Sequence, residues 1–194
     1  EKLTREEMVA AFTLDRVQES AAQMDLRKLD NLNGRYVAEL PFETFLQQAR
    51  EAAADYDWYP RETDPRFAKV ATLLQSRTKK LTDVADWQHF FCDFPSYDEK
   101  AARKMIGKPG IGAAIADLAN RLADCPWDAG SIETVVQETT QAHEIPEGKL
   151  NQPLRVAATG STVGAGIFET LELLAPSTAL QRLRYAAQTY GDLG

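Results

Sequence analysis

Residues 149–174, KLNQPLRVAATGSTVGAGIFETLELL, carry the reading of this chain. The pattern predicts a helix over 152–158, a glycine-bearing break over 159–166 and a second helix from Ile167. Pro153 suits a first helical turn, where its missing N–H is not needed. Gly160, Gly164 and Gly166 permit backbone angles that Cβ-bearing residues resist, so two helices can meet at a sharp corner. Such a corner would offer backbone N–H groups beside Arg155, a setting for an anion or a base edge. The same residues also fit an ordinary helix–turn–helix corner with a surface arginine.

Downstream, Ser177 is expected to start a final helix with Leu180, Leu183, Ala187 and Tyr190 on its inner face. Upstream, Ser131 is read as the cap of a helix carrying Ile132, Val135 and Val136. Ile111, Ile115, Leu118 and Leu122 share one face of another helix. It is joined through GKPGIG (107–112) to a helix that Asp98 begins. That joint lacks the Gly-Lys-Ser/Thr ending of a phosphate loop and follows no strand, so it reads as a turn. Trp87, Phe90, Phe91 and Phe94 form the densest aromatic cluster and read as core. Pro95 closes it, and the boundary between two helical subdomains, 1–95 and 96–194, is placed there.

Further upstream, Pro65 opens a helix with Phe67, Val70, Ala71 and Leu74 that runs on to Arg77. DYDWYPRETDP (55–65) is the clearest loop, its aromatics beside Arg61 read as packing between helices. Pro41 opens a helix with Phe42, Phe45, Leu46 and Ala49 as its buried stripe. Asp25 caps one carrying Leu26, Leu29, Leu32 and Tyr36 on a single face, and Thr4 with Glu7 makes a capping box. No run alternates with period two, so the expected fold is all-α.

The chain has 194 residues, 44% hydrophobic, enough for one domain or two small helical ones. No segment is long and apolar enough to span a bilayer, and Cys92 and Cys125 show no secreted-scaffold pattern, so the expected compartment is the cytoplasm. The net charge of −7 argues against indiscriminate nucleic-acid binding. Its distribution softens that objection: residues 1–65 hold 8 Lys/Arg against 14 Asp/Glu, whereas the remainder is nearly balanced. Arg77, Lys79 and Lys80 cluster, as do Lys100, Arg103, Lys104 and Lys108. Confined basic spots suit one shaped RNA, although solvated helix ends look the same. His89, Cys92, Cys125 and His143 lack zinc-ligand spacing, and no carboxylate pair or nucleophile–base pair stands out, so neither metal nor catalytic residues are assigned.

QPLRVAATG, four residues, then GIFETLELL and a final amphipathic helix with RLR resemble the carboxy-terminal end of bacterial-type glutamyl-tRNA synthetases. FTLDRVQESAAQMDLRKLDNLNGRYV resembles the segment that follows the catalytic domain in the same family. Between these two motifs the likeness rests on order and helix content. The resemblance implies a helical cage that grips the anticodon stem-loop of tRNA(Glu). It also implies a parent enzyme, a class I aminoacyl-tRNA synthetase, that uses ATP and Mg²⁺ to join glutamate to that RNA. The family's His-x-Gly-His and Lys-Met-Ser-Lys-like signatures are absent here, so the chain is expected to be a monomeric fragment without the N-terminal catalytic domain, inactive alone.

The same resemblance places base contacts at Arg155, the arginine of QPLR, and in the loop ahead of the last-but-one helix, at Gly164 and Ile167. Gly164 brings only its backbone, and Ala165–Gly166 stands where relatives have Pro-Gly. An arginine near the end of an earlier helix, matched here by Arg77 in QSRTKKL, is implied to read the third anticodon base and so to separate glutamate from glutamine tRNA. Lys79 and Lys80 beside it suit phosphate contacts. Two other readings stay open: a helical protein-interaction module sharing only the corner motif, and a stand-alone binding protein descended from a synthetase.

Overall fold

In the computed structural model, which describes residues 3–16, 23–60 and 64–191, every regular element among the described residues is helical. The α-helices are α1 (Arg5–Ala11), α2 (Leu26–Glu39), α3 (Phe42–Ala53), α4 (Pro65–Leu74), α5 (Glu99–Ile106), α6 (Ile111–Arg121), α7 (Ala129–Ala142), α8 (Asn151–Thr159), α9 (Ile167–Leu173) and α10 (Pro176–Tyr190). Four 3-10 segments join them, including Gln75–Arg77 and the long Leu81–Phe90. Residues 17–22 of the amino-terminal motif, and Arg61, lie outside the described residues.

Side-chain caps set half of the α-helix starts among the described residues. Thr4 and Glu7 close the expected capping box on α1, and Asp25, Asp64 and Asp98 accept backbone N–H groups at the starts of α2, α4 and α5. Ser131 is not the cap of α7: Asp128 is, and its carboxylate takes both the N–H and the hydroxyl of Ser131. An aspartate three residues earlier reaches the orphan N–H that a serine inside the first turn cannot.

The buried side chains form one cluster running from Val37 to Tyr190. Helix α10 lies against α6, α8 and α5, while α7 packs on α9. Phe45, Phe67, Trp87 and Phe90 are buried as expected, and Trp58 stacks between Tyr56 and Phe91, filling a groove from the acidic loop. Several apolar residues with helical spacing or aromatic neighbours nevertheless fall outside this core. Leu26, Leu29 and Tyr36 of α2 are exposed, with only Val37 of that helix buried. Phe94 is 41% exposed, resting edge-on against Tyr185.

Three helix C-termini are closed by side chains from distant segments. Gln75 donates to the carbonyls of Val37 and Leu40 at the end of α2. Trp127 Nε1 donates to those of Leu171 and Leu174 at the end of α9. At the end of α8, the Tyr97 hydroxyl donates to Ala157 O, and Arg182, with no exposed surface, donates to Ala158 O and to the carbonyls of Cys92 and Asp93. Val37 O and Leu171 O also take the cap N–H groups of Leu40 and Leu174, whereas the oxygens of Leu40, Leu174, Ala157 and Ala158 stand at helix ends where intrahelical donors run out.

Candidate anticodon interface

Helix α8 ends where the chain must turn hard. Gly160 has φ +73°, and a Cβ there would lie 2.3 Å from Ser96 O. This is the corner foreseen at 159–166, but only Gly160 needs the left-handed angle; Gly164 and Gly166 do not. A Cβ on Gly164 would stand 3.0 Å from Arg155 Nη1, so a side chain there would press on the end of the arginine.

The turn brings the loop 161–165 up to the segment 77–80. Arg77 Nη1 donates to Gly164 O at 3.4 Å, and Arg155 Nη1 donates to Ala165 O. The arginines therefore meet carbonyls of the corner rather than stand beside free N–H groups, as the sequence had suggested. Arg77 is exposed and Arg155 half-buried. Burial lowers the Arg155 pKa from its ordinary value, the Arg77 charge adds to that, and Glu169 opposes it. Two cations converge at one edge with a single carboxylate acting against their repulsion, an arrangement ready for an anionic or acceptor-rich ligand.

Between these segments opens a cleft of about 530 Å³, lined in part by Arg77, Thr78, Lys79, Trp87, His89, Ser161 and Gly164. Lys79 is held by the amino-terminal motif: its Nζ donates to Asn31 Oδ1 at 2.8 Å, and Asn33 donates to its carbonyl. A Cβ on Gly34 would lie 3.2 Å from Lys79 Cγ, so NLNG of α2 is shaped to receive this lysine. Asp83 accepts the backbone N–H groups of Lys79 and Lys80, which fixes the basic segment at the start of the 3-10 helix. Lys80 is exposed. Ile167 is 4% exposed, so its side chain belongs to the core and only its backbone is left for a ligand. It anchors α9 beneath the loop.

The residues that sequence reasoning missed are the positioning ones, together with His89 as a cleft wall. Tyr97 and Arg182 fix the end of α8 and so the loop on which both arginines rest. A lone arginine in RLR gives no local sign of burial, because its partners lie about 90 residues away. Among the described residues no three His, Cys, Asp or Glu side chains gather as a metal site.

The chain matches the model of the anticodon binding domain family over residues 44–187. It is 33% identical over 189 residues to a glutamate–tRNA ligase of Moorella thermoacetica, covering 94% of this chain and 39% of that protein. It is 36% identical over 192 residues to a glutamate–tRNA ligase 2 of Coxiella burnetii, covering 96% and 40%. The chain thus spans about two-fifths of the length of the curated relatives it matches. Its fold resembles that of a glutamate tRNA ligase from Elizabethkingia meningosepticum, with a TM-score of 0.76, 22% identity, and coverage of 97% of this chain and 37% of that one. The chain belongs to the anticodon binding domain family.

Proposed function

We propose that this chain is the anticodon-binding part of a glutamate–tRNA ligase and grips the anticodon stem-loop of tRNA(Glu). The rest of that enzyme, which would bind ATP and Mg²⁺ and attach glutamate, lies outside these residues. The observation that carries the reading is the convergence of Arg77 and Arg155, from opposite halves of the chain, on neighbouring carbonyls at the edge of one cleft. The names of the full-length relatives support it. In the same reading the chain divides near Pro95 into two helical subdomains, works as a monomer, and belongs in the cytoplasm with the translation machinery. No helix among the described residues is long and apolar enough to cross a membrane.

Anticodon bases are unstacked, so their Watson–Crick edges can be read by an arginine fork while lysines hold phosphates. Glutamate codons begin with guanine and glutamine codons with cytosine, so the third anticodon bases are cytosine and guanine respectively. Cytosine offers O2 and N3 as adjacent acceptors to the Arg77 fork, whereas guanine offers donors there. Lys80 supplies a phosphate contact, and Lys79, already oriented by Asn31, supplies another. Fluorescence anisotropy with labelled anticodon hairpins tests this. The glutamate hairpin should bind tighter than one with guanine in third position, and Arg77→Gln should lose about tenfold or more of that preference. Equal binding of both hairpins by the wild-type chain would overturn the reading.

A further inference from the structure

We infer that His89 is a second reader of the third anticodon base, accepting a hydrogen bond from the cytosine 4-amino group while Arg77 donates to O2 and N3. This rests on the anticodon-binding reading above and adds a specificity residue to it.

The His89 ring lines the same cleft as Arg77, and its Nδ1 lies 2.7 Å from the carbonyl oxygen of Asp86. A carbonyl only accepts, so Nδ1 carries the hydrogen and Nε2 of the neutral ring carries the lone pair. The imidazole is further held against Phe90, ring centroids 4.2 Å apart. Burial drives its pKa down to about 4, with Arg182 and Arg155 adding to the effect and the Asp86 contact opposing it. Near neutral pH the ring is therefore an oriented, uncharged acceptor.

Three other side-chain acceptors of the cleft, on Asp83, Thr159 and Ser161, are already engaged. Asp83 takes the N–H groups of Lys79 and Lys80. Thr159 Oγ1 donates to Arg155 O and takes the Ser161 N–H, and Ser161 Oγ takes that of Val163. Asp86 and Gln88 are exposed to solvent. With Arg77 giving two donors and His89 one acceptor, the protein presents donor, donor, acceptor, the order on the Watson–Crick edge of guanine. That edge pairs with cytosine alone among the four bases. Guanine in its place would set donor against donor at Arg77 and acceptor against acceptor at His89.

The test removes one atom group from the RNA. Two anticodon hairpins are compared, one with cytidine and one with zebularine in third position. Zebularine keeps O2 and N3 but lacks the 4-amino group, so Arg77 is served equally by both. The wild-type chain should bind the zebularine hairpin about tenfold more weakly. His89→Phe keeps a ring against Phe90 and should bind the two hairpins equally. His89→Asn, which retains a donor for the Asp86 carbonyl, should do the same if the phenylalanine variant fails to fold. Equal binding of both hairpins by the wild type overturns the assignment, as does a penalty for zebularine that survives in the variants. Failure of the wild type to bind the cytidine hairpin above one with a scrambled anticodon overturns the anticodon reading itself, and this inference with it.

Discussion

Arg182 and Arg155 show how residue type alone fails to separate structure from recognition. Arg182 is fully buried and feeds three carbonyls from two distant segments. Removing it leaves those oxygens without donors in a dry setting, at about 1–3 kcal/mol apiece if nothing replaces it. Arg182→Leu should therefore destabilise the chain by about 3 kcal/mol or more, lowering Tm by roughly 6–12 °C in a chain of this size. Thermal denaturation followed by circular dichroism reads this directly. Arg155 is half-buried and spends one donor on Ala165 O, leaving the rest of its fork for a ligand. Arg155→Ala should cost about 1 kcal/mol of stability, the worth of one such bond, but about tenfold in affinity for the glutamate hairpin. A large fall in Tm with unchanged RNA binding would make Arg155 structural.

At the scale of elements, the corner after α8 depends on one glycine more than on three. Gly160 and Gly148 share φ +73°, but only Gly160 is pressed against another chain segment, at Ser96 O. Gly148→Ala should cost about 1–2 kcal/mol, the backbone penalty alone. Gly160→Ala adds a clash with backbone and should cost about 3 kcal/mol or more while loosening the loop that carries Gly164. Urea denaturation of the two variants separates the terms. The helix boundaries around this corner were legible in sequence because caps and glycines act within a few residues, as Asp98, Pro65 and Gly160 do. The exposed face of α2 was not legible, since the spacing of Leu26, Leu29 and Tyr36 predicts an apolar stripe but cannot say what covers it. The site was legible in part. QPLR and QSRTKK pointed to Arg155 and Arg77, whereas the Asn31 and Asn33 clamp on Lys79 joins segments more than 40 residues apart and follows only from the fold. The burial of the Ile167 side chain was not legible either, because a motif position does not show which way its side chain turns.

Across the whole molecule, a net charge of −7 coexists with a cleft edge that is locally cationic, and acid should act on stability in one direction. His89 has its folded pKa depressed from 6.5 to about 4. Above pH 6.5 the ring is neutral in both states and its contribution is complete. As pH falls toward 4 the unfolded chain takes up a proton that the folded chain refuses, so stability drops by up to about 1.4 kcal/mol per pH unit. Carboxylates reinforce the trend at lower pH. Asp64 is held below its usual value chiefly by its hydrogen bonds from Arg66, and Asp117 by those from Arg121 and then His143. Each contributes stability above the unfolded carboxylate pKa and loses it as pH falls through the folded one. Unfolding free energy from urea titrations should therefore decline between pH 6.5 and 4.5, before the carboxylates titrate. In His89→Phe that early decline should largely vanish while the steeper loss below pH 4 remains. A wild-type stability that stays flat from pH 6.5 to 4.5 would mean that His89 takes its proton in the folded cleft, and so is not the neutral acceptor described above.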